Sequence, residues 1–189
     1  MGDDREPTAP PGNPSEKAVV GIVMGSDSDL PILQETLEML KRFGISAEIT
    51  VASAHRSPQR VADYARSASQ RGLKVLIAGA GGAAHLAGFL AAATSLPVIG
   101  IPIASSPLGG WDALLATIQM PAGVPVATMA VGKAGARNAA VLAAQILALG
   151  DRGLQERLQG YKVELAEKVA ESADKVQQHP GSVGKIPGI

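Results

Sequence analysis

Among the 189 residues of the chain there is no cysteine, which excludes a disulfide framework, a thiolate metal site, an iron–sulfur cluster and a cysteine nucleophile. Net charge is missing too, because 17 basic side chains balance 17 acidic ones. A nucleic-acid binder would carry a basic face or stripe instead. Aromatic residues make up only 3% of the chain, so its apolar bulk comes from Ala, Val, Ile and Leu. Glycine, by contrast, occurs 22 times and proline 13 times, a composition suited to close backbone approach. The length is that of one ordinary domain able to bury a core.

Charge is also unevenly placed. Residues 1–17 hold six charges among four prolines and read as a disordered leader. No apolar run follows a basic start there, so the segment does not read as a signal peptide. Residues 151–189 hold twelve charges, whereas residues 75–111 hold none at all. Seven Gly and Pro residues, from Gly79 to Pro102, interrupt that uncharged run too often for a membrane span. A sheet covered on both faces, with helices partly buried by neighbouring subunits, explains it better. The expectation is a soluble, cytoplasmic homo-oligomer that binds neither membrane nor nucleic acid.

Strand and helix alternate along the chain. Short apolar runs predict strands at 18–24, 47–51, 74–78, 97–101 and 124–130. Leu30, Leu33, Leu37 and Leu40 give a helix at 29–43, opened by Ser28 or Asp29 and stopped by Gly44. Ser57 with Pro58 opens another. Further helices follow the third strand to about 93, then at 113–120 and at 134–149. This order implies a three-layer αβα sandwich with a central parallel sheet, flavodoxin-like in class. The domains are then a leader (1–17), one α/β domain (18–150), a C-terminal helix (151–178) and a tail (179–189). Leu154, Leu158, Tyr161, Leu165 and Val169 form one stripe of that helix, which is expected to pack on neighbouring subunits.

In such sheets ligands bind beyond the carboxyl ends of the strands, and three loops there carry chemistry. Gly25-Ser26-Asp27-Ser28-Asp29 offers backbone N–H groups and two hydroxyls to a phosphate at a helix N-terminus. Asp29 would be repelled by that phosphate and suits ribose hydroxyls; plain helix capping also accounts for such residues. Ser53-Ala54-His55-Arg56-Ser57-Pro58 joins a group that both gives and takes protons near neutral pH to a guanidinium that forks onto phosphate. An isolated loop histidine is more often satisfied by backbone, but the neighbouring Arg56 makes His55 the best catalytic candidate. The run from Gly79 to Leu86 holds Gly79, Gly81, Gly82 and His85. It fits a loose dinucleotide fingerprint, yet the next acidic residue is Asp112, too far on to hold a ribose. What remains is a wall of low bulk against a flat ligand, with His85 facing either cleft or core.

Other constellations are missing. No phosphate-binding P-loop and no nucleophile elbow occurs. His55 and His85 lack acidic partners at ligand spacing, so no metal is expected. His179 falls in the polar tail and reads as solvated.

Four segments in register resemble one family. These are Gly25-Ser-Asp-Ser-Asp29, Ser53-Ala-His-Arg56, Ala78-Gly-Ala-Gly-Gly-Ala-Ala-His-Leu86 and Gln119-Met-Pro-Ala-Gly-Val-Pro-Val126. Over about residues 18–150 the chain is similar to the N5-carboxyaminoimidazole ribonucleotide mutases of purine biosynthesis. The resemblance implies transfer of a carboxylate from the exocyclic nitrogen to ring carbon 4, through enclosed carbon dioxide and without ATP, metal or organic cofactor. It implies His55 as catalytic acid and base, and Ser26, Ser28, Asp29, Ser53, Arg56, Gly79, Gly81, Gly82 and His85 as substrate-binding. It also implies an octamer, with functional coupling to an ATP-dependent carboxyaminoimidazole ribonucleotide synthase. The sequence departs from the family pattern at Ala87, usually proline, at Ala113 and Thr117, usually serine, and at Arg137, often alanine. Two alternatives stand beside the mutase: a carboxylase that takes up carbon dioxide directly, and a nucleotide-monophosphate sensor without chemistry.

Overall fold

The computed structural model describes residues 17–178. Nearly all of the expected leader, the expected tail and His179 lie outside them. The chain divides into two compact units, Met1–Leu147 and Ala148–Ile189.

In the first unit five parallel strands form one sheet in the order β2-β1-β3-β4-β5. They are β1 (Val20–Met24), β2 (Ala47–Val51), β3 (Val75–Gly81), β4 (Val98–Ile103) and β5 (Ala127–Thr128). Strands β1 and β4 are buried along their whole length, as expected of apolar runs in a parallel sheet covered on both sides. The helices are α1 (Leu30–Arg42), α2 (Pro58–Ala68), α3 (Leu86–Ala93), α4 (Trp111–Ile118) and α5 (Lys133–Ala148). One layer comprises α2, α3 and α4. Val61, Ala65, Leu86 and Leu90 pack with Val23, Leu76 and Ala78 of the sheet, and Thr117 crosses over Gly100 beside Ala87. On the other face Leu33 of α1 packs over Gly79, and the Thr36 hydroxyl donates to the Ala136 carbonyl of α5 at 2.9 Å. The three-layer αβα sandwich is therefore present.

Two strands differ from the lengths their sequences suggest. Strand β3 continues to Gly81 rather than stopping near 78, because Ala80 and Gly81 pair with Pro102 and Ile103 of β4. The small residues that read as loop are sheet. Strand β5 shrinks from seven residues to two. Gly123 turns the chain at φ 92°, and Pro125 has no N–H to give to a ladder.

The second unit is dominated by α6 (Arg152–Gln177). Asp151 caps it, its carboxylate accepting from the Leu154 N–H at 2.9 Å. Most of the helix is exposed, including Leu165 and Val169 of its apolar stripe.

Candidate active site

The order of the sheet reverses between β1 and β3, and ligands bind such sheets in the crevice at that point. The loops leaving β1, β2, β3 and β4 surround a cavity of about 370 Å³ there. That volume falls in the range of small-molecule sites.

After β1, Ser26 caps a single 3-10 turn, Asp27–Asp29, which feeds into α1. Its hydroxyl accepts from the Ser28 N–H at 3.3 Å, while the Asp29 carboxylate reaches back to accept from the Ser26 N–H at 3.2 Å. This reciprocal capping box holds the loop in place, and Asp29, only 5% exposed, still lines the cavity. Capping and ligand contact are therefore compatible in Asp29. Burial pushes its carboxyl above the usual carboxylate range; the Ser26 N–H opposes this and the Asp27 charge adds to it.

After β2, the Ser53–Ser57 turn closes on itself. Ser57 stands at the N-cap of α2, but no side-chain bond caps the helix. Its hydroxyl instead accepts from the Ser53 N–H at 3.0 Å and donates to the Ser53 carbonyl at 3.1 Å. The Arg56 N–H donates to the Ser53 hydroxyl at 3.2 Å. His55 and Arg56 project from this turn, and Arg56 Nη2 donates to the Gly25 carbonyl at 3.4 Å. That contact ties the second loop to the first. A second hollow of about 360 Å³ is lined by Gly25, Ser26, Asp27, Ser53, Arg56 and Ser57.

After β3, His85 occupies the N-cap position of α3. Its Nδ1 lies 2.8 Å from His55 Nε2, and the two rings meet edge to face with centroids 4.9 Å apart. Eight of the ten residues named from sequence line the cavity: Ser26, Ser28, Asp29, Ser53, His55, Arg56, Gly81 and His85. Gly79 stands apart within the sheet, its carbonyl accepting from the Gly25 N–H at 3.2 Å. Leu33 fills the space where a Cβ on Gly79 would sit. Gly82 makes the turn at φ 59°, with open space where its side chain would be.

Sequence reasoning missed Ser105. It follows β4 at the same end of the sheet and lines the cavity. A Cβ on Gly81 would stand 1.7 Å from the Ser105 hydroxyl, so glycine at 81 is what lets that hydroxyl close the wall. The strand-end rule that singled out the first three loops, applied to the fourth, would have found it. Among the described residues no group of three or more His, Asp or Glu is placed to hold a metal ion.

The fold and crevice define the class: a doubly wound α/β protein with an imidazole pair, a guanidinium and a buried carboxylate around one small-molecule cavity. The sequence pattern of the AIR carboxylase family matches residues 19–168. The chain belongs to that family. It is 51% identical over 164 residues to an N5-carboxyaminoimidazole ribonucleotide mutase of Pyrococcus horikoshii, covering 87% of this chain and 92% of that one. With the mutase of Thermotoga maritima it shares 50% over 159 residues, covering 84% and 92%. In three dimensions it resembles the crystal structure of Treponema denticola PurE, with a TM-score of 0.76 and 29% identity over 84% of this chain and 98% of that one.

Proposed function

We propose that this chain is an N5-carboxyaminoimidazole ribonucleotide mutase of purine biosynthesis with His55 as its acid and base. The observation that carries this reading is the convergence of His55, Asp29 and Arg56 on one cavity, in a chain that shares half its residues with mutases over most of its length. Arg56 with Ser26, Ser28 and Ser53 takes the phosphate, and Asp29 takes the ribose hydroxyls. The glycine wall at Gly81 and Gly82 covers the imidazole; Gly79 contributes indirectly, by leaving room for Leu33 of α1 behind the sheet.

In the first step the carbamate C–N bond breaks and its electron pair stays on nitrogen. Imidazolium His55 supplies the proton, and carbon dioxide and aminoimidazole ribonucleotide result. In the second step ring carbon 4 attacks the enclosed carbon dioxide, with the exocyclic nitrogen supplying electron density. Neutral His55 then removes the carbon 4 proton and the aromatic ring is restored. One proton is given and one taken, so the enzyme returns to its starting state. Histidine suits both steps because it exchanges protons near neutral pH, and enclosure keeps carbon dioxide at high effective concentration.

The active form is a cytoplasmic homo-octamer, and the reaction needs no organic cofactor or metal. The exposed apolar residues Leu108 just before α4, Trp111, Leu115 and Ile118 along α4, and Leu165 and Val169 on α6, support burial against other copies. An ATP-dependent synthase supplies the unstable carbamate. The test follows the carbon-carboxylated product without ATP or metal, comparing fresh carbamate with aminoimidazole ribonucleotide plus bicarbonate. Fast turnover of the carbamate alone, well above its spontaneous breakdown, is expected. Preference for the second pair would make the protein a carboxylase, and binding with turnover of neither would make it a sensor.

A further inference from the structure

We infer that the Ser105 hydroxyl holds the transferred carboxyl group, donating to one of its oxygens while it is carbamate, carbon dioxide and product carboxylate in turn. This inference rests on the mutase reading and supplies a side chain for the one part of the substrate that moves.

The sheet order β2-β1-β3-β4 lays out the crevice in the order of a ribonucleotide. Arg56, Ser53, Ser26 and Ser28, assigned to the phosphate, follow β2 and β1. Asp29, assigned to the ribose, lies where β1 meets β3, since a Cβ on Gly25 would stand 3.9 Å both from its carboxylate and from Ala80. The base then falls over the ends of β3 and β4. His55 reaches the same end, because its ring extends from the β2 loop to meet His85 of the β3 loop at 2.8 Å.

That end is built from the uncharged run of residues 75–111. From it Ala80, Gly81, Ala83, His85, Leu86 and Ser105 line the cavity. The Arg56 guanidinium stays on the β1 side, donating to the Gly25 carbonyl. A lysine or arginine would hold the moving group poorly. As carbon dioxide forms, the C–N electron pair stays on nitrogen, an oxygen lone pair becomes the second C=O bond, and the carboxylate charge disappears. A cation there would stabilise the carbamate more than the transition state and slow the cleavage. A neutral hydroxyl donates to either form with a smaller difference between them, and it keeps its own proton throughout.

Ser105 is fixed for this task. Strands β3 and β4 pair at Gly81 and Ile103, and the Ser105 N–H donates to the Ile103 carbonyl at 3.0 Å. Its hydroxyl lies where a Cβ on Gly81 would stand, so it abuts the glycine wall. Among the described residues that hydroxyl has no hydrogen-bond partner. The Ser106 hydroxyl, by contrast, accepts from the Leu108 N–H at 3.1 Å and closes the following turn.

The test compares full-length wild type, Ser105→Ala and Ser105→Thr in two measurements. Titration calorimetry uses aminoimidazole ribonucleotide and its 4-carboxy product as separate ligands. Ser105→Ala should bind the first within about twofold of wild type and the second about tenfold or more weakly, the loss of a hydrogen bond to a charged group. Turnover of fresh carbamate in ¹³C-bicarbonate buffer then reads escape of carbon dioxide. The Ala variant should release more free aminoimidazole ribonucleotide and place more ¹³C in the initial product than wild type does. Ser105→Thr, which keeps the hydroxyl, should stay within about threefold of wild type in both measurements. Equal weakening of the two ligands, or an Ala variant whose product carries no more label than the wild type's, would overturn the proposal. So would a Thr variant as impaired as Ala, since the shape of the wall would then act rather than its hydroxyl. Should the wild type fail to turn over carbamate, the mutase reading falls, while the two ligands still decide whether Ser105 holds a carboxyl group. Ser105 is exposed, so neither substitution empties the core.

Discussion

Glu35 on α1 and Glu48 on β2 face cations from neighbouring elements, whereas Asp29 in the crevice faces none. Glu35 bonds Lys133 Nζ at 2.9 Å and Arg137 Nη2 at 2.8 Å, and these bonds hold its carboxyl below the usual range. Glu48 is partly buried, which alone would raise it, but the Arg71 guanidinium and the Tyr64 hydroxyl outweigh that and lower it. Asp29 is pushed the other way by burial. The outer faces of the sandwich thus use their charges to join elements, and the crevice leaves a carboxylate and a guanidinium without an ion-pair partner, beside an imidazole pair, around a cavity. Residues left so are available to a ligand, and a protein tolerates them at some cost in stability.

The largest expected effect lies in the crevice. His55→Asn should keep ligand affinity within several-fold and lose about 10²–10⁴ in turnover, the general acid–base contribution. Titration calorimetry with product and a steady-state assay separate the two quantities, and full activity would end the assignment. Next comes Arg56→Ala. A charge-assisted hydrogen bond contributes about 1.5–3 kcal/mol, so affinity for the ribonucleotide should fall roughly tenfold to a hundredfold with kcat less affected. Unchanged affinity would place the phosphate elsewhere.

Much of this contrast was readable in the residues themselves. Short apolar runs and helical spacing located the five strands and five α-helices of the first unit, though not the 3-10 turn Asp27–Asp29, and the strand-end rule found His55, Arg56 and Asp29. Where local reading failed, pairing or packing across the sheet decided. Ala80 and Gly81 look like loop but are strand because β4 pairs with them. Gly79 looks like a ligand-facing glycine but makes room for Leu33. The Ser57 hydroxyl, expected on its helix, closes the His55 turn instead. Ser105 could have been found by applying the same rule to the fourth loop, but its approach to Gly81 and the His55–His85 contact could not, since each joins residues 24 or more positions apart whose approach only the sheet order determines.

Asp29→Asn sharpens the comparison with stability as the readout. A carboxyl whose value is raised on folding makes stability fall as pH rises from the ordinary carboxylate range through the raised value, and the loss persists above it. An amide carries no such penalty, and its oxygen can still accept from the Ser26 N–H. The variant should therefore unfold at a higher temperature than wild type near neutral pH. The difference should vanish in acid, where Asp29 is protonated whether folded or not. Substrate affinity should fall at the same time. Calorimetric melts from about pH 3 to pH 8 test the sign, and a lower melting temperature for the variant at neutral pH would mean that the ionised carboxylate stabilises its loop.

The smallest effect belongs to the outer cluster, where the sign reverses. Glu35 has its carboxyl lowered on folding, so its contribution is complete above the ordinary carboxylate range and is lost as pH falls through the lowered value. Glu35→Gln should melt slightly below wild type at neutral pH, with the gap closing in acid and shrinking in high salt. Lys133 and Arg137 are four apart on α5, where like charges repel, and Glu35 neutralises them. Arg137→Ala removes one of those charges and leaves the Lys133 bond in place, so it should cost less than Glu35→Gln. A larger loss from Arg137→Ala would mean that its stem packs against α1, and the cluster would then act through contact area more than through charge.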